Sequence, residues 1–388
     1  MISLLSRFFI KDRKNFSSPS VRNAYGVLCG AVGIFLNILL SVIKLIASSV
    51  SGSISIAADA VNNLSDAASS LVTLVGFRLA GQKPDHSHPF GHGRIEYISG
   101  LVVSMIIMFM GFELGKSSVS RISSGTKTEF SFVAVVILAV SLPIKLYMCY
   151  YNKSVAKKIS STAMSATAID CLCDCVATSV ILICTVASLF TGVQLDGWCG
   201  IVVSLFIFYS GINSAKETIN PLLGTPPDKE FVEKIKNIVL SYDEISGVHD
   251  LVVHNYGPNI SMISLHAEVS QTVDILQIHD TIDNVEHRLS TELNCDAVIH
   301  MDPIATNDKL TVATKEKVLE LARALDQSIT IHDFRMVIGQ THTNLIFDMV
   351  IPYNFRLRDE EIKEEMSRLV KIISPEYRVV INIDKEFH

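Results

Sequence analysis

The sequence predicts a membrane all-α bundle of six helices, followed by two soluble α+β units in tandem. Two observations lead to this prediction. Residues from about 23 to 214 are mostly apolar, whereas charged residues are dense from about 216 to the end of the 388-residue chain. Within the charged part, short motifs recur at an offset of 82 or 83 residues. Since a spanning helix needs about 20 apolar residues, the apolar part has room for several spans.

Six apolar segments are long enough to cross a bilayer. They are predicted at Tyr25–Ser48, Ile54–Leu79, Tyr97–Ser117, Phe130–Tyr151, Met164–Phe190 and Leu195–Asn213. Lysines and arginines are concentrated before the first span, in the loops after the second and fourth, and after the sixth, although Arg121 and Lys127 are exceptions. Because such residues favour the cytoplasmic side, both termini are expected in the cytoplasm. Residues 1–22 are predicted to form a cytoplasmic leader, and residues 23–215 the transmembrane domain.

The charged part reads as one unit repeated twice. The recurring blocks are Val248–Leu251 with Ile331–Phe334, Ile263–His266 with Leu345–Asp348, and Val298–Asp302 with Val380–Asp384. Each unit has the order helix, strand, strand, helix, strand, which is typical of a small ferredoxin-like αββαβ sandwich. The units are predicted at residues 216–303 and 304–388.

Composition narrows the classes of function. The net charge of −6 makes nucleic acid an unsuitable partner. The eight cysteines lack the spacing of a disulfide framework, and most lie in apolar segments. Nothing in the sequence calls for a bound cofactor.

Two predicted spans place polar side chains in pairs at membrane depth. Asn62 and Asp66 are four residues apart in the second span, as are Asp170 and Asp174 in the fifth, and residues at this spacing share a helix face. An aspartate there costs about 2.5–3.5 kcal/mol on insertion scales, which a bound divalent cation can offset. We call these four residues the quartet. Carboxylate and amide oxygens suit hard cations such as Mn²⁺, Mg²⁺ or Ca²⁺. Asp59, one turn before the quartet, is either part of an entry path or a polar cap.

Two further clusters of possible metal ligands lie outside the spans. Asp85, His88 and His92 fall within eight residues of a short loop, and we call them the loop cluster. The first soluble unit contains the first-repeat cluster of His249, His266, His279, His300 and Asp302. At the equivalent places the second unit has His332, Asp348, Asn382 and Asp384. That unit is expected to be a structural or dimerising copy, or a harder metal site.

These motifs together resemble the cation diffusion facilitator family over about residues 20–303. The most specific stretches are Ser53–Asp66 and His88–Glu96. The resemblance implies a homodimeric antiporter in the cell (plasma) membrane that exports cytoplasmic divalent cations in exchange for protons. It assigns transport to the quartet, a loop site to the loop cluster and a binuclear cytoplasmic site to the first-repeat cluster.

The same resemblance bears on the choice of metal. Zinc-type members have histidine at the position of Asp170, so a quartet of one Asn and three Asp resembles manganese-exporting bacterial members. Zn²⁺ or Fe²⁺ efflux by the same mechanism is the alternative. From another class of function, a metal-responsive sensor or scaffold without transport stays open. An enzyme is disfavoured because no nucleophile or general base stands beside the quartet.

Overall fold

The computed structural model describes the chain apart from residues 1, 17, 52–53, 125–131, 192–195, 259, 305–307, 340, 353 and 387–388. The chain divides into two compact units. Unit 1 comprises Met1–Thr225 together with Asn255–Ile260, and unit 2 comprises Pro226–His254 and Ser261–His388.

Unit 1 is helical, as predicted. Its elements are α1 Ile2–Phe9, α2 Pro19–Ser51, α3 Ile54–Ala80, α4 Ile95–Ser124, α5 Phe132–Ile159, α6 Thr162–Thr191 and α7 Asp196–Leu223. The helices α2 to α7 correspond to the six predicted spans, although the predicted starts Phe130 and Leu195 lie outside the described residues. The last helix continues to Leu223, ten residues past the predicted end of its apolar segment, and contains Pro221 near its end.

Five of the six long helices are long and apolar enough to cross a membrane, within the described parts of the chain. The exception is α3, whose apolar stretch is interrupted by Asn62, Asn63 and Asp66. The helix that departs most from an ordinary span is therefore one that carries half of the quartet.

The helices of the bundle approach one another closely at glycines. A Cβ atom on Gly111 of α4 would lie 2.9 Å from the backbone nitrogen of Phe208 in α7. Likewise, a Cβ atom on Gly30 of α2 would lie 2.8 Å from the Leu74 Cβ atom in α3. Small residues at such crossings let membrane helices pack backbone against backbone, since apolar side chains gain little by leaving lipid.

Unit 2 contains the two predicted αββαβ repeats. The first repeat consists of α8 Lys229–Val239, β1 Ile245–Asn255, β2 Ser261–Ser270, α9 Ile275–Leu293 and β3 Cys295–Ile304. The second repeat consists of α10 Lys309–Leu325, β4 Thr330–Ile338, β5 Thr343–Pro352, α11 Asp359–Ile373 and β6 Tyr377–Glu386. The order of elements confirms the predicted α+β fold.

The two sheets have the same strand order and the same register. Strand order is β1-β2-β3 in one and β4-β5-β6 in the other, with β2 parallel to β3 and β5 parallel to β6. His266 pairs with His300 in the first sheet, and Asp348 pairs with Asn382 at the equivalent place in the second. The repeat seen in the sequence is therefore a repeat in structure.

Each repeat has its own apolar core between its sheet and its helices. Leu265 of β2 packs with Leu289 of α9, and Phe347 of β5 packs with Met366 of α11; all four side chains are fully buried. Asp274 begins α9 by accepting hydrogen bonds from two backbone N–H groups of the first turn. These cores fix the positions of the strands, and the strands carry the possible metal-ligating side chains.

Candidate metal sites

The quartet lies on two contacting helices of unit 1, α3 and α6. Asp66 and Asp170 are buried, whereas Asn62 and Asp174 are half-buried. Each helix presents its two oxygen-bearing side chains one turn apart on one face. Neighbouring helices therefore bring an acidic patch into the bundle.

A lysine that sequence reasoning did not single out lies between two members of the quartet. The Lys145 Nζ atom of α5 donates hydrogen bonds to Asp66 Oδ2 at 2.6 Å and to Asp174 Oδ2 at 2.8 Å. Its side chain is only 6% exposed. One ammonium thus bridges carboxylates from two helices, in the position that a cation shared by them would take.

The bridge explains why the quartet is not gathered around a single point. Four groups of three or more His, Cys, Asp or Glu ligand atoms lie within 4.8 Å of one another in the described residues, and the three aspartates of the quartet are not among them. With every group ionised, three carboxylates and one ammonium leave a formal charge of −2, which one divalent cation would neutralise.

A signal for Lys145 was present in the sequence. It stands in the interior of an apolar segment, following Ser141-Leu142-Pro143-Ile144. Ionisable residues inside spans are rare and mark functional positions by default. Span orientation depends on the lysines of the loops, so Lys145 was not among the predicted site residues.

A second buried lysine forms an ion pair with Asp59. Lys44 of α2 is 4% exposed, and its Nζ atom lies 2.7 Å from Asp59 Oδ2. Asp59 therefore pairs with a lysine of its own, separate from the lysine that contacts Asp66 and Asp174.

The loop cluster is gathered as the sequence predicted. Asp85 Oδ1 lies 3.3 Å from His88 Nδ1, and Asp85 Oδ2 lies 3.4 Å from His92 Nε2. Asp85 also accepts the backbone N–H groups of Ser87 and His88, and the bond from His88 is the main cause that lowers the pKa of Asp85. The carboxylate is therefore kept ionised beside two imidazoles, an arrangement that suits a transition metal.

Arg94, just after the loop cluster, is held by backbone and aromatic groups of unit 1. Its guanidinium donates to the backbone carbonyl of Asn255 at 2.7 Å and lies 4.6 Å from the ring centroid of Tyr256.

Most of the first-repeat cluster converges on Asp302. Its Oδ2 atom lies 2.8 Å from His266 Nδ1 and 3.1 Å from His249 Nε2, and its Oδ1 atom lies 3.4 Å from His300 Nε2. The fifth member, His279, lies on α9 with its side chain 64% exposed and pairs with Asp283. Within the described residues, His249, His266 and Asp302 form one group of close ligand atoms, His300 adjoins it through Asp302, and His279 lies apart.

Residues of the second repeat adjoin this cluster. His249, Asp250 and His332 form one group of close ligand atoms, and Asp250, Asp348 and Asp384 form another. Burial lowers the pKa of His332 to about 4, with the charge of His249 as the next cause, so its imidazole is neutral near pH 7. Burial and then the charge of Asp384 raise the pKa of Asp348 to about 6.

Two family models and several known proteins match parts of this chain. Residues 31–223 match the model of the cation efflux transmembrane domain, and residues 227–304 match that of the cation efflux protein cytoplasmic domain. An uncharacterised transporter of Methanocaldococcus jannaschii is 33% identical over 267 residues, which cover 69% of this chain and 94% of that protein. The cation-efflux pump FieF of Escherichia coli strain K12 is 29% identical over 266 residues, covering 68% of this chain and 88% of the pump.

The two domain matches, the relatives and the apolar helices agree. The domain models end at residue 304, so the second repeat lies beyond them. The chain belongs to the cation diffusion facilitator family and is a cation-efflux transporter of the membrane, not an enzyme.

Proposed function

We propose that the protein exports Mn²⁺ from the cytoplasm in exchange for protons, and that the quartet binds the transported ion. The observation that carries this proposal is that two carboxylates, Asp66 buried and Asp174 half-buried, already share one cationic group, the ammonium of Lys145. Charged groups are expensive at membrane depth, so carboxylates held by a displaceable cation mark an ion pathway.

The preference for Mn²⁺ rests on the ligand atoms. The quartet offers one amide and three carboxylates, and it contains no imidazole or thiolate. Oxygen ligands suit Mn²⁺, whereas imidazole favours Zn²⁺ and Fe²⁺. The buried Cys171 and Cys173 precede and follow Leu172, away from the face that Asp170 and Asp174 share. Efflux of Zn²⁺ or Fe²⁺ is the alternative that a competition assay distinguishes.

The charge balance suggests how transport is coupled to protons. In the metal-bound state one dication balances the formal charge of −2 on three aspartates and Lys145. In the return state two protons would neutralise the same groups, so the exchange of one dication for two protons is electroneutral. Lys145 would hold Asp66 and Asp174 between these states and limit the cost of exposing bare carboxylates to the bilayer.

The sequence and the domain matches support a proposal for the oligomeric state and the membrane orientation. We propose a homodimer in the plasma membrane with both termini in the cytoplasm. Lysines and arginines on one set of loops support the orientation. In that orientation the loop cluster and the first-repeat cluster face the cytoplasm, where bound metal would report the cytoplasmic level.

Flux into proteoliposomes tests the proposal. Under an imposed pH gradient, wild-type protein should transport Mn²⁺ faster than Zn²⁺, and the Asp174→Asn variant should not transport it. The Asp59→Asn variant is the matched control, since Asp59 is in the same bundle but paired with Lys44. Equal rates for Zn²⁺ and Mn²⁺ would contradict the choice of metal. Binding without flux would instead identify a sensor or scaffold.

A further inference from the structure

We infer that the two repeats of unit 2 build a divalent transition-metal site between them, with ligands from both. The inter-repeat cluster consists of His249, Asp250, His332, Asp348 and Asp384. It lies partly in the second repeat, beyond the region that the cytoplasmic domain model covers. The inference concerns unit 2 alone and does not depend on which ion the quartet transports.

The cluster sits where equivalent positions of the two repeats face each other. His249 and His332 are separated by 83 residues, the offset of the repeat, and their rings stack with centroids 4.1 Å apart at an angle of 24°. Asp384 is likewise the equivalent of Asp302, which contacts His249 in the first repeat. Asp302 and Asp384 hold the same register position in their sheets, opposite Glu268 and Val350. A pseudo-symmetric pair of imidazoles therefore meets between the repeats.

The imidazoles of His249 and His332 make no hydrogen bond of good geometry within the described residues, although His249 has ion-pair contacts with Asp302 at 3.1 Å and Asp250 at 3.3 Å. Both ring nitrogens of His249 and both of His332 are shielded from solvent, and each residue is 9% exposed. The same holds for the Oδ2 atom of Asp384. Buried polar atoms normally find a partner, so the ring nitrogens of His332 and the Oδ2 atom of Asp384, whose shortest ion-pair contact with each other is 3.7 Å, require an explanation. A metal ion bound by one ring nitrogen of His332 and by the Asp384 carboxylate supplies one.

The spacing of the ligand atoms suits coordination better than hydrogen bonding. His332 Nε2 lies 3.7 Å from Asp384 Oδ2 and 4.0 Å from Asp250 Oδ1, and His332 Nδ1 lies 4.0 Å from Asp348 Oδ2. These distances are too long for hydrogen bonds. Two ligands bound about 2.1 Å from one metal ion stand roughly 3–4 Å apart. The mixed imidazole and carboxylate set suits first-row transition ions such as Zn²⁺, Fe²⁺ or Mn²⁺.

The backbone is strained at the same place in both repeats. Asp250 has φ of 50° and Asp333 has φ of 47°, although both lie within β-strands. This left-handed conformation is unfavourable for a residue with a side chain, and it concentrates at functional sites. Asp333 is neutralised by Arg335 at 2.8 Å, whereas Asp250 faces His332. The asymmetry makes Asp250 the ligand of the pair.

The site would fasten one repeat to the other. Since its ligands come from β1, β4, β5 and β6, a bound ion would restrain opening between the two sheets. The second repeat would then complete, within one chain, a metal site that the first repeat cannot complete alone.

Two measurements on the full-length protein purified in detergent test the site, with Zn²⁺ as the probe. One is amide hydrogen exchange in β4, and the other is the number of ions bound per chain in dialysis. Zn²⁺ should slow exchange in β4 of the wild type, and dialysis should find one more ion per chain than in the His332→Gln variant. In that variant the slowing at β4 should disappear, or require about tenfold or more Zn²⁺. The Asp384→Asn variant should behave in the same way. The His287→Gln variant, at an exposed histidine of α9 outside the clusters, should match the wild type.

Two results would overturn the inference. One is an unchanged ion count and unchanged slowing at β4 in both the His332→Gln and Asp384→Asn variants. The other is loss of the slowing in the His266→Gln variant alone, which would place the ion in the first repeat. Exchange of β4 without metal must match the wild type, so that a folding defect is recognised. None of these readouts uses transport, so failure here is separable from failure of the proposed Mn²⁺ export.

Discussion

Replacement of Lys145 by methionine removes a positive charge from the quartet while keeping a side chain of similar length. In the structure the ammonium lies 2.6 Å from Asp66 and 2.8 Å from Asp174. A metal ion that binds both carboxylates must displace it. Lys145→Met should therefore bind Mn²⁺ more tightly than the wild type and release it more slowly.

The size of the effect follows from the cost of breaking the ion pair. Separating a buried pair costs about 3–5 kcal/mol, and Lys145 is 6% exposed. In the wild type this cost is subtracted from the free energy of metal binding. At 1.4 kcal/mol for each factor of ten, its removal tightens the dissociation constant by roughly 10²- to 4 × 10³-fold.

Equilibrium dialysis of trace radioactive Mn²⁺ against purified protein measures this change, and proteoliposome flux measures the release. Lys44→Met is the matched control, because Lys44 is equally buried but pairs with Asp59 at 2.7 Å. The Lys44→Met variant should bind Mn²⁺ with the affinity of the wild type. The Lys145→Arg variant, which keeps the positive charge, should also have an affinity close to that of the wild type. If Lys145→Met binds Mn²⁺ no more tightly than these proteins, the ammonium does not compete with the ion and the reasoning is refuted.

Three other predictions concern selectivity, pH and packing. Asp170→His adds an imidazole to the quartet and should shift competitive flux from Mn²⁺ toward Zn²⁺; an unchanged ratio would show that ligand softness does not set selectivity. The second prediction concerns unit 2 of the full chain without metal. There the pKa of Asp348 is raised to about 6, so the folded state binds a proton more tightly than the unfolded state does. The free energy of unfolding therefore falls as pH rises from about 4 to about 6. The lowered pKa of His332, about 4, has the opposite effect up to the unperturbed value of 6.5. His332→Gln should therefore melt at lower temperature as pH rises, and Asp348→Asn at higher temperature; slopes of the same sign in calorimetry would contradict both assignments. Gly111→Leu should lower the melting temperature of the detergent-solubilised protein because its side chain would collide with the backbone of Phe208, and an unaltered melting curve would mean that α4 and α7 can separate freely.

The fold was predictable because its signals are local in sequence. Apolar length identified the spans, and the strands of each repeat followed from short motifs that recur at a fixed offset. The quartet was predictable for the same reason, since a spacing of four residues fixes a shared helix face wherever the helix lies. The loop cluster was predictable because its three residues lie within eight positions of the sequence.

By itself the sequence determined which side chains share a helix or a strand, because those relations depend on the backbone period alone. Only the tertiary structure decided which elements face each other. Lys145 meets Asp66 and Asp174 because of the rotation and packing of α5 against its neighbours, and no periodicity encodes that rotation. His249 meets His332 for an analogous reason, since the contact depends on how two separately folded sheets pack. Contacts between elements far apart in sequence arise from the global packing of side chains, so the residues they join become visible only in the folded chain.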